Sequence, residues 1–188
     1  MATVADFKRG LCIEMNKELY IVMEFLRFQA GRGASNVRTK LKNLSTGKII
    51  DHTFGGSENI NIQTIERRPH QFLYKDESGY NFMHQQTYEQ IFLSGDVIDA
   101  PEFLKDGMEG IEIVFHAEKE APLYAELPEI VEVEITYTEP GVKGDTSGGS
   151  LKAATVDSGA RVMVPLFVEQ GERIRVNTRT KEYKERAK

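Results

Sequence analysis

Leu19-Tyr20-Ile21-Val22-Met23-Glu24-Phe25-Leu26-Arg27-Phe28, Ala30-Gly31-Arg32-Gly33-Ala34-Ser35 and Val37-Arg38-Thr39-Lys40-Leu41-Lys42 follow one another near the start of the chain. The first run is rich in β-branched and aromatic residues, which favour strands. The second is a turn of small residues. In the third, Val37, Thr39 and Leu41 alternate with Arg38, Lys40 and Lys42, the period of a half-buried strand. Together they predict a long β-hairpin. At roughly 3.3 Å per residue, arms of about eight residues span on the order of 25 Å. The tip holds one long cation, Arg32, between Gly31 and Gly33, and glycine on both sides lets the backbone turn tightly and approach another surface closely. A lone charge on an arbitrary turn is merely solubilising. The basic second arm, Arg38, Lys40 and Lys42, favours contact with phosphate here.

The rest of the chain also reads as short strands. Gln71–Lys75 and Tyr80–His84 flank the hairpin loop Asp76-Glu77-Ser78-Gly79, and Tyr88–Leu93, Gly110–Phe115 and Ala121–Leu127 follow. Pro122 marks the last of these as an edge strand, and Ala100–Leu104 suits a short helical turn. Beyond Pro128, Ile130, Val131, Val133, Ile135 and Tyr137 interleave with Glu132, Glu134 and Thr136, and Ala160–Val168 and Arg173–Asn177 are later strands. The expected class is all-β: three small β-barrels in series, spanning 1–64, 65–127 and 128–188. Closure removes the exposed edges that units this small cannot otherwise protect. No sequence period links the three, so the repetition is one of architecture.

The net charge is −5 over 188 residues. Residues 1–64 hold nine Lys/Arg and six Asp/Glu, residues 65–127 five and thirteen, and residues 128–188 ten of each; +3, −8 and 0 sum to −5. The stretch 27–42 has five basic residues and no acid, and 173–188 has seven basic residues against Glu182 and Glu185. Basic ends and an acidic middle suit phosphate contact at two separated places. The start lacks a basic-then-apolar leader and no run is long enough to span a bilayer, so the expectation is a cytoplasmic protein without membrane contact; a monomer is expected.

Catalytic and metal signatures are nearly absent. His52, His70, His84 and His116 lack local metal-site spacing, and Cys12 lies alone in the apolar Leu11-Cys12-Ile13. Gly141–Gly148 lacks the Gly-Lys-Ser/Thr ending of a phosphate loop, and Gly31-Arg32-Gly33 does not continue to a third dinucleotide-fingerprint glycine. Glu129, Glu132, Glu134 and Glu139 read as a solvated strand face. Asn43-Leu44-Ser45 fits a glycosylation sequon by chance. No enzyme activity, cofactor or metal is expected.

Across nearly its whole length the sequence resembles elongation factor P. The first unit is similar at Gly31-Arg32-Gly33, Val37–Leu44 and Thr46-Gly47. Tyr137–Thr146 resembles the entrance to the third unit. Lys152-Ala153-Ala154, Gly159, Val162, Val164-Pro165, Val168 and Gly171 match the C-terminal signature in order and spacing, and Thr178–Tyr183 resembles the ending. The resemblance implies an SH3-like N-terminal barrel and two OB-type barrels, arranged in an L. It implies binding to the ribosome beside the peptidyl-tRNA and relief of stalling at consecutive prolines. By the same resemblance Arg32, with Gly31 and Gly33, reaches toward the tRNA CCA end. Gly144, Asp145 and Thr146 match a motif near the exit-site codon, and Tyr183 and Arg186 match positions facing tRNA or the small subunit. Ala30 stands where proline is frequent. Arginine at 32 excludes lysine-type post-translational modification, and some arginine-bearing relatives carry rhamnose there, which makes an arginine-modifying glycosyltransferase a candidate partner.

Three other readings are weaker. A general single-strand RNA chaperone would stack bases on aromatics in a basic groove, yet Phe72, Tyr74, Tyr80 and Phe82 lie in the acidic middle and read as core. A hydrolytic or sugar-acting barrel lacks a site. A structural adaptor would not co-sediment with ribosomes.

Overall fold

The computed structural model describes residues 3–29, 35–139 and 151–187; Gly31, Arg32, Gly33, Gly144, Asp145 and Thr146 lie outside the described residues. The protein is all-β. The only helical elements among the described residues are the 3₁₀ turns Val4–Asp6, Gly95–Val97 and Pro101–Phe103. The last is the turn expected at 100–104, with proline at its first helical position, where the missing N–H costs nothing.

The first sheet holds β1 (Cys12–Met15), β2 (Glu18–Gln29), β3 (Ser35–Asn43), β4 (Ile49–Phe54) and β5 (Asn61–Gln63), in the order β4-β3-β2-β1-β5. The β2–β3 hairpin pairs from Tyr20↔Asn43 out to Gln29↔Ser35, with a bulge between Val22 and Glu24. Alternation along β3 buries Val37, Thr39 and Leu41, which join Leu11, Ile13 and Val22 in or beside the core. The finger is less free than its sequence suggested: β4 backs β3 from Lys42↔Ile49 to Val37↔Phe54. Of the described hairpin pairs, Phe28↔Asn36 and Gln29↔Ser35 extend beyond that third strand.

The second sheet contains β6 (Ile65–Lys75), β7 (Tyr80–His84), β8 (Gln90–Leu93), β9 (Ile111–His116) and β10 (Ala121–Glu126), in the order β10-β9-β6-β7-β8. β10 is an edge strand, as Pro122 predicts. An isolated parallel bridge, Ile98↔Ala125, joins the segment after β8 to β10, and the Asp99 N–H donates to the Ala125 carbonyl at 3.0 Å. The third set, β11 (Ile130–Thr138), β12 (Leu151–Val156), β13 (Arg161–Pro165), β14 (Arg173–Asn177) and β15 (Glu182–Arg186), closes as β11-β12-β13-β15-β14, with a parallel contact at Met163↔Glu182. Counted within each set, the third group closes in the order one-two-three-five-four with a parallel contact between its third and fifth strands, and the second runs five-four-one-two-three, the same order left open, with its parallel bridge made by the segment after its third strand. This is the OB arrangement. On β11, Val131, Val133 and Ile135 face inward while Glu132 and Glu134 face solvent. The described residues form two compact units, 1–68 with 113–124 and 69–112 with 125–188.

Asn43 closes the base of the hairpin. Its Nδ2 donates to Glu18 Oε2 at 2.8 Å, and its Oδ1 accepts from the Ser45 and Thr46 N–H groups at 2.9 Å each. The Tyr20 hydroxyl donates to the same Glu18 oxygen at 2.8 Å. Asn43 is buried, so the chance sequon is committed to building a turn. Removing that side chain deletes three hydrogen bonds that fix the turn to β2, and Asn43→Ala is expected to lower stability by about 1–3 kcal/mol in urea unfolding. Ser45→Ala, beside it but exposed, is expected to stay within about 0.5 kcal/mol of the parent.

Candidate nucleic-acid interface

On the outer face of β3, Arg38 stands opposite Leu26 of β2 and Thr53 of β4, and Lys40 opposite Glu24 and Asp51. Both cations are exposed. The Lys40 ammonium lies 3.6 Å from the Glu24 carboxylate, whereas the Arg38 side chain makes no ion pair or hydrogen bond among the described residues. Lys42 is half-buried, its ammonium 6.0 Å from the centre of the Tyr124 ring. The stretch 27–42 is therefore acid-free only along the chain, because the neighbouring strands bring Glu24 and Asp51 alongside it. Arg27 faces elsewhere: its guanidinium donates to the carbonyls of Ala5 at 2.8 Å and Phe7 at 3.3 Å and packs 5.4 Å from the Phe25 ring. It anchors the N-terminal segment to the hairpin. An open groove of about 540 Å³ runs along this face, lined by Arg9, Phe25, Leu26, Arg38, Lys40 and Asp51 among others. Arg9 was not singled out from sequence. Its only signal is the pair Lys8-Arg9 before Gly10.

In the C-terminal barrel most of the basic excess is matched. Arg173 lies 3.7 and 3.8 Å from Glu132 and Glu134, Arg175 2.9 Å from Glu185 and Arg186 3.2 Å from Glu172, and Lys181 pairs with Glu102. Arg179 and Lys184 form no ion pair among the described residues. Tyr183 and Arg186 come together around Phe167, another residue not picked out from sequence. Gly144, Asp145 and Thr146 belong to the connection between β11 and β12 and lie outside the described residues, as do Gly31, Arg32 and Gly33 between β2 and β3.

The middle aromatics divide. Phe72 and Phe82 are core residues with ring centroids 5.4 Å apart, and Tyr80 is half-buried. Tyr74, expected in the core, is 47% exposed. The register shifts between Phe72↔Phe82 and Tyr74↔Asn81. In an unbroken strand residues 72 and 74 would share a face; the bulge turns the second outward. His116 is buried, and its Nδ1 accepts from the Lys119 N–H at 3.3 Å. That assigns the proton to Nε2, which donates to Gln63 Oε1 at 3.1 Å. Its ring is thus held by structure on both sides. No group of three His, Cys, Asp or Glu among the described residues is placed to hold a metal ion.

The chain matches three family descriptions in succession: "Elongation factor P (EF-P) KOW-like domain" over residues 3–60, "Elongation factor P (EF-P) OB domain" over 65–124 and "Elongation factor P, C-terminal" over 131–186. It is 50% identical to elongation factor P 1 of Porphyromonas gingivalis, covering 100% of both chains. It is 47% identical to elongation factor P of Amoebophilus asiaticus, over 100% of this chain and 98% of that one. It is 42% identical to elongation factor P of Flavobacterium johnsoniae, again covering both chains completely. Serial KOW-like and OB barrels of this kind define a translation factor. The chain belongs to the elongation factor P family.

Cys12 is 1% exposed, and burial pushes its thiol up to about 11. A thiol so placed holds almost no thiolate near neutrality. The native chain is expected to show negligible reaction with a thiol reagent at pH 7.5 and one thiol per chain after unfolding in guanidinium, read by absorbance.

Proposed function

We propose that the chain works as a monomer in the cytoplasm, binds the ribosome beside the peptidyl-tRNA, and stimulates peptide-bond formation at consecutive prolines without chemistry of its own. The observation that carries this reading is the braced hairpin. A third strand backs it as far as Val37↔Phe54, and its last described pair is Gln29↔Ser35, so Arg32 falls in the middle of the five-residue connection. We read the chain as three domains, 1–64, 65–127 and 128–188, in keeping with the residues that the three family descriptions match.

The physical basis is orientation. Proline is a secondary amine with fixed φ, and a nascent Pro-Pro end adopts attack geometry poorly. Misplacing a reacting group by about 1 Å can cost on the order of 100-fold in rate. A factor that holds the CCA end restores orientation without supplying an acid, base or nucleophile. In this reading Gly31 and Gly33 let the backbone approach closely while Arg32 pairs with phosphate or stacks on a base. Arg38, Lys40 and Lys42 contact phosphate along the finger. Gly144, Asp145 and Thr146 sit on the connection between the first two strands of an OB barrel, a loop through which such barrels grip oligonucleotides, and Tyr183 and Arg186 serve a second RNA contact. A glycosyltransferase acting on Arg32 in the host would add reach and hydroxyl groups at the tip.

Arg32→Ala is expected to leave the urea midpoint unchanged and to abolish rescue of a polyproline reporter in reconstituted translation; rescue at the parental level would refute the proposal. The charge pattern on β3 also ranks its cations. Removing one lysine or arginine from a phosphate flattens log affinity against log salt by roughly 0.7–0.9. Arg38→Gln is expected to show most of that change in ribosome binding, and Lys40→Gln much less, because Glu24 already offsets Lys40.

A further inference from the structure

Phe167 is 57% exposed although two side chains pack on it. It follows β13 in a tight turn closed by the Val168 N–H donating to the Pro165 carbonyl at 3.0 Å, and Val168 itself is fully buried beneath that turn. The Arg186 guanidinium lies 4.7 Å from the Phe167 ring centre. The same guanidinium donates to the Phe167 carbonyl at 3.0 Å and pairs with Glu172 at 3.2 Å. The Tyr183 ring meets Phe167 edge-on, with centroids 6.4 Å apart. An exposed apolar ring is thus held in one orientation by a cation on its face, an aromatic at its edge and a pinned backbone.

We propose that Phe167 is a stacking platform for an unpaired nucleobase of RNA, and that Arg186 is a positioning residue for this ring more than a phosphate contact. The inference deepens the ribosome-binding reading and rests on it. Arg186 is already matched by Glu172, so its charge is a poor source of phosphate affinity. Its planar guanidinium on the ring is instead what a fixed stacking surface requires. Lys184, exposed and without an ion pair among the described residues, lies on β15 between Tyr183 and Arg186 and supplies a cation for a backbone phosphate near the stacked base. A ring for the base and a lysine for the phosphate are the two components of sequence-tolerant recognition of unpaired RNA. A protein partner would leave Lys184 and Arg179 needing carboxylates.

The test uses the full chain, fluorescently labelled, and purified ribosomes carrying peptidyl-tRNA. Phe167→Ala and Phe167→Leu are expected to weaken binding roughly 5- to 150-fold, the range for removing one base–aromatic stack. Phe167→Tyr and Phe167→Trp are expected to bind within about twofold of the parent. Leucine binding as well as tryptophan would overturn the proposal, since plain apolar contact would then suffice, and so would unchanged binding by Phe167→Ala. Coincident urea midpoints for the parent and each variant exclude misfolding. Photoreactive p-azidophenylalanine at position 167 is expected to cross-link to RNA; a cross-link confined to ribosomal protein would overturn the assignment. Failure of the unsubstituted chain to bind would instead defeat the ribosome reading itself, and this inference with it.

Discussion

The pairing of Glu18–Gln29 with Ser35–Asn43 is the constraint on which the functional reading depends. At its base, Val22 and Leu41 are fully buried, and the Glu18–Tyr20–Asn43 network ties the first turn to both strands. Farther out β4 supports one edge, and Arg27 straps the N-terminal segment against the other strand. An isolated two-stranded hairpin is marginal in water. This one borrows stability from a sheet and a core and still sends its last described pairs beyond the third strand. A connection mounted on such a base starts from a defined place. That matters for the proposed action by orientation, because looseness at the mount would be passed on to whatever the tip touches.

Charge is used more sparingly than composition suggests. Much of the basic excess of the two ends is neutralised within the chain, by Glu24 on the hairpin, by Glu132, Glu134, Glu172 and Glu185 in the C-terminal barrel, and by Glu102, which pairs with Lys181. Such exposed pairs contribute little to stability, but they limit indiscriminate attraction to polyanions. The cations left without ion pairs among the described residues include Arg9, Arg38, Arg179 and Lys184. A few unmatched charges on rigid strands and turns distinguish one RNA surface from another better than a uniformly basic face would.

Much of this was legible in the sequence. Alternation over Val37–Lys42 and Ile130–Tyr137 is strong because each strand buries one face and wets the other. Pro122 announced an edge, and the common architecture of the second and third units was expected without a sequence repeat. Other features left no periodic trace. β1 and β5 are four and three residues long. Glu182–Arg186 is polar on both faces, so only its pairing with β14 and β13 makes it a strand. The bulge that exposes Tyr74 and the partners that restrain Arg186 depend on register and on residues distant in the chain, neither of which local sequence encodes. The residues expected to matter most, Gly31–Gly33 and Gly144–Thr146, stand out by turn chemistry and resemblance, and the described residues locate only the strands on either side of them.

In the proposed function the hairpin delivers residue 32 to the acceptor end of peptidyl-tRNA. Because Cys12 is buried, Arg32→Cys supplies a single addressable thiol at the tip. An iron chelate tethered there, with the chain bound to ribosomes stalled at consecutive prolines, generates hydroxyl radicals that cut nearby RNA. Strand scission is expected to centre on the 3′ CCA end of the peptidyl-tRNA, above a control with free chelate. Scission confined to RNA remote from that end, or none above the control while the chain remains bound, would contradict it.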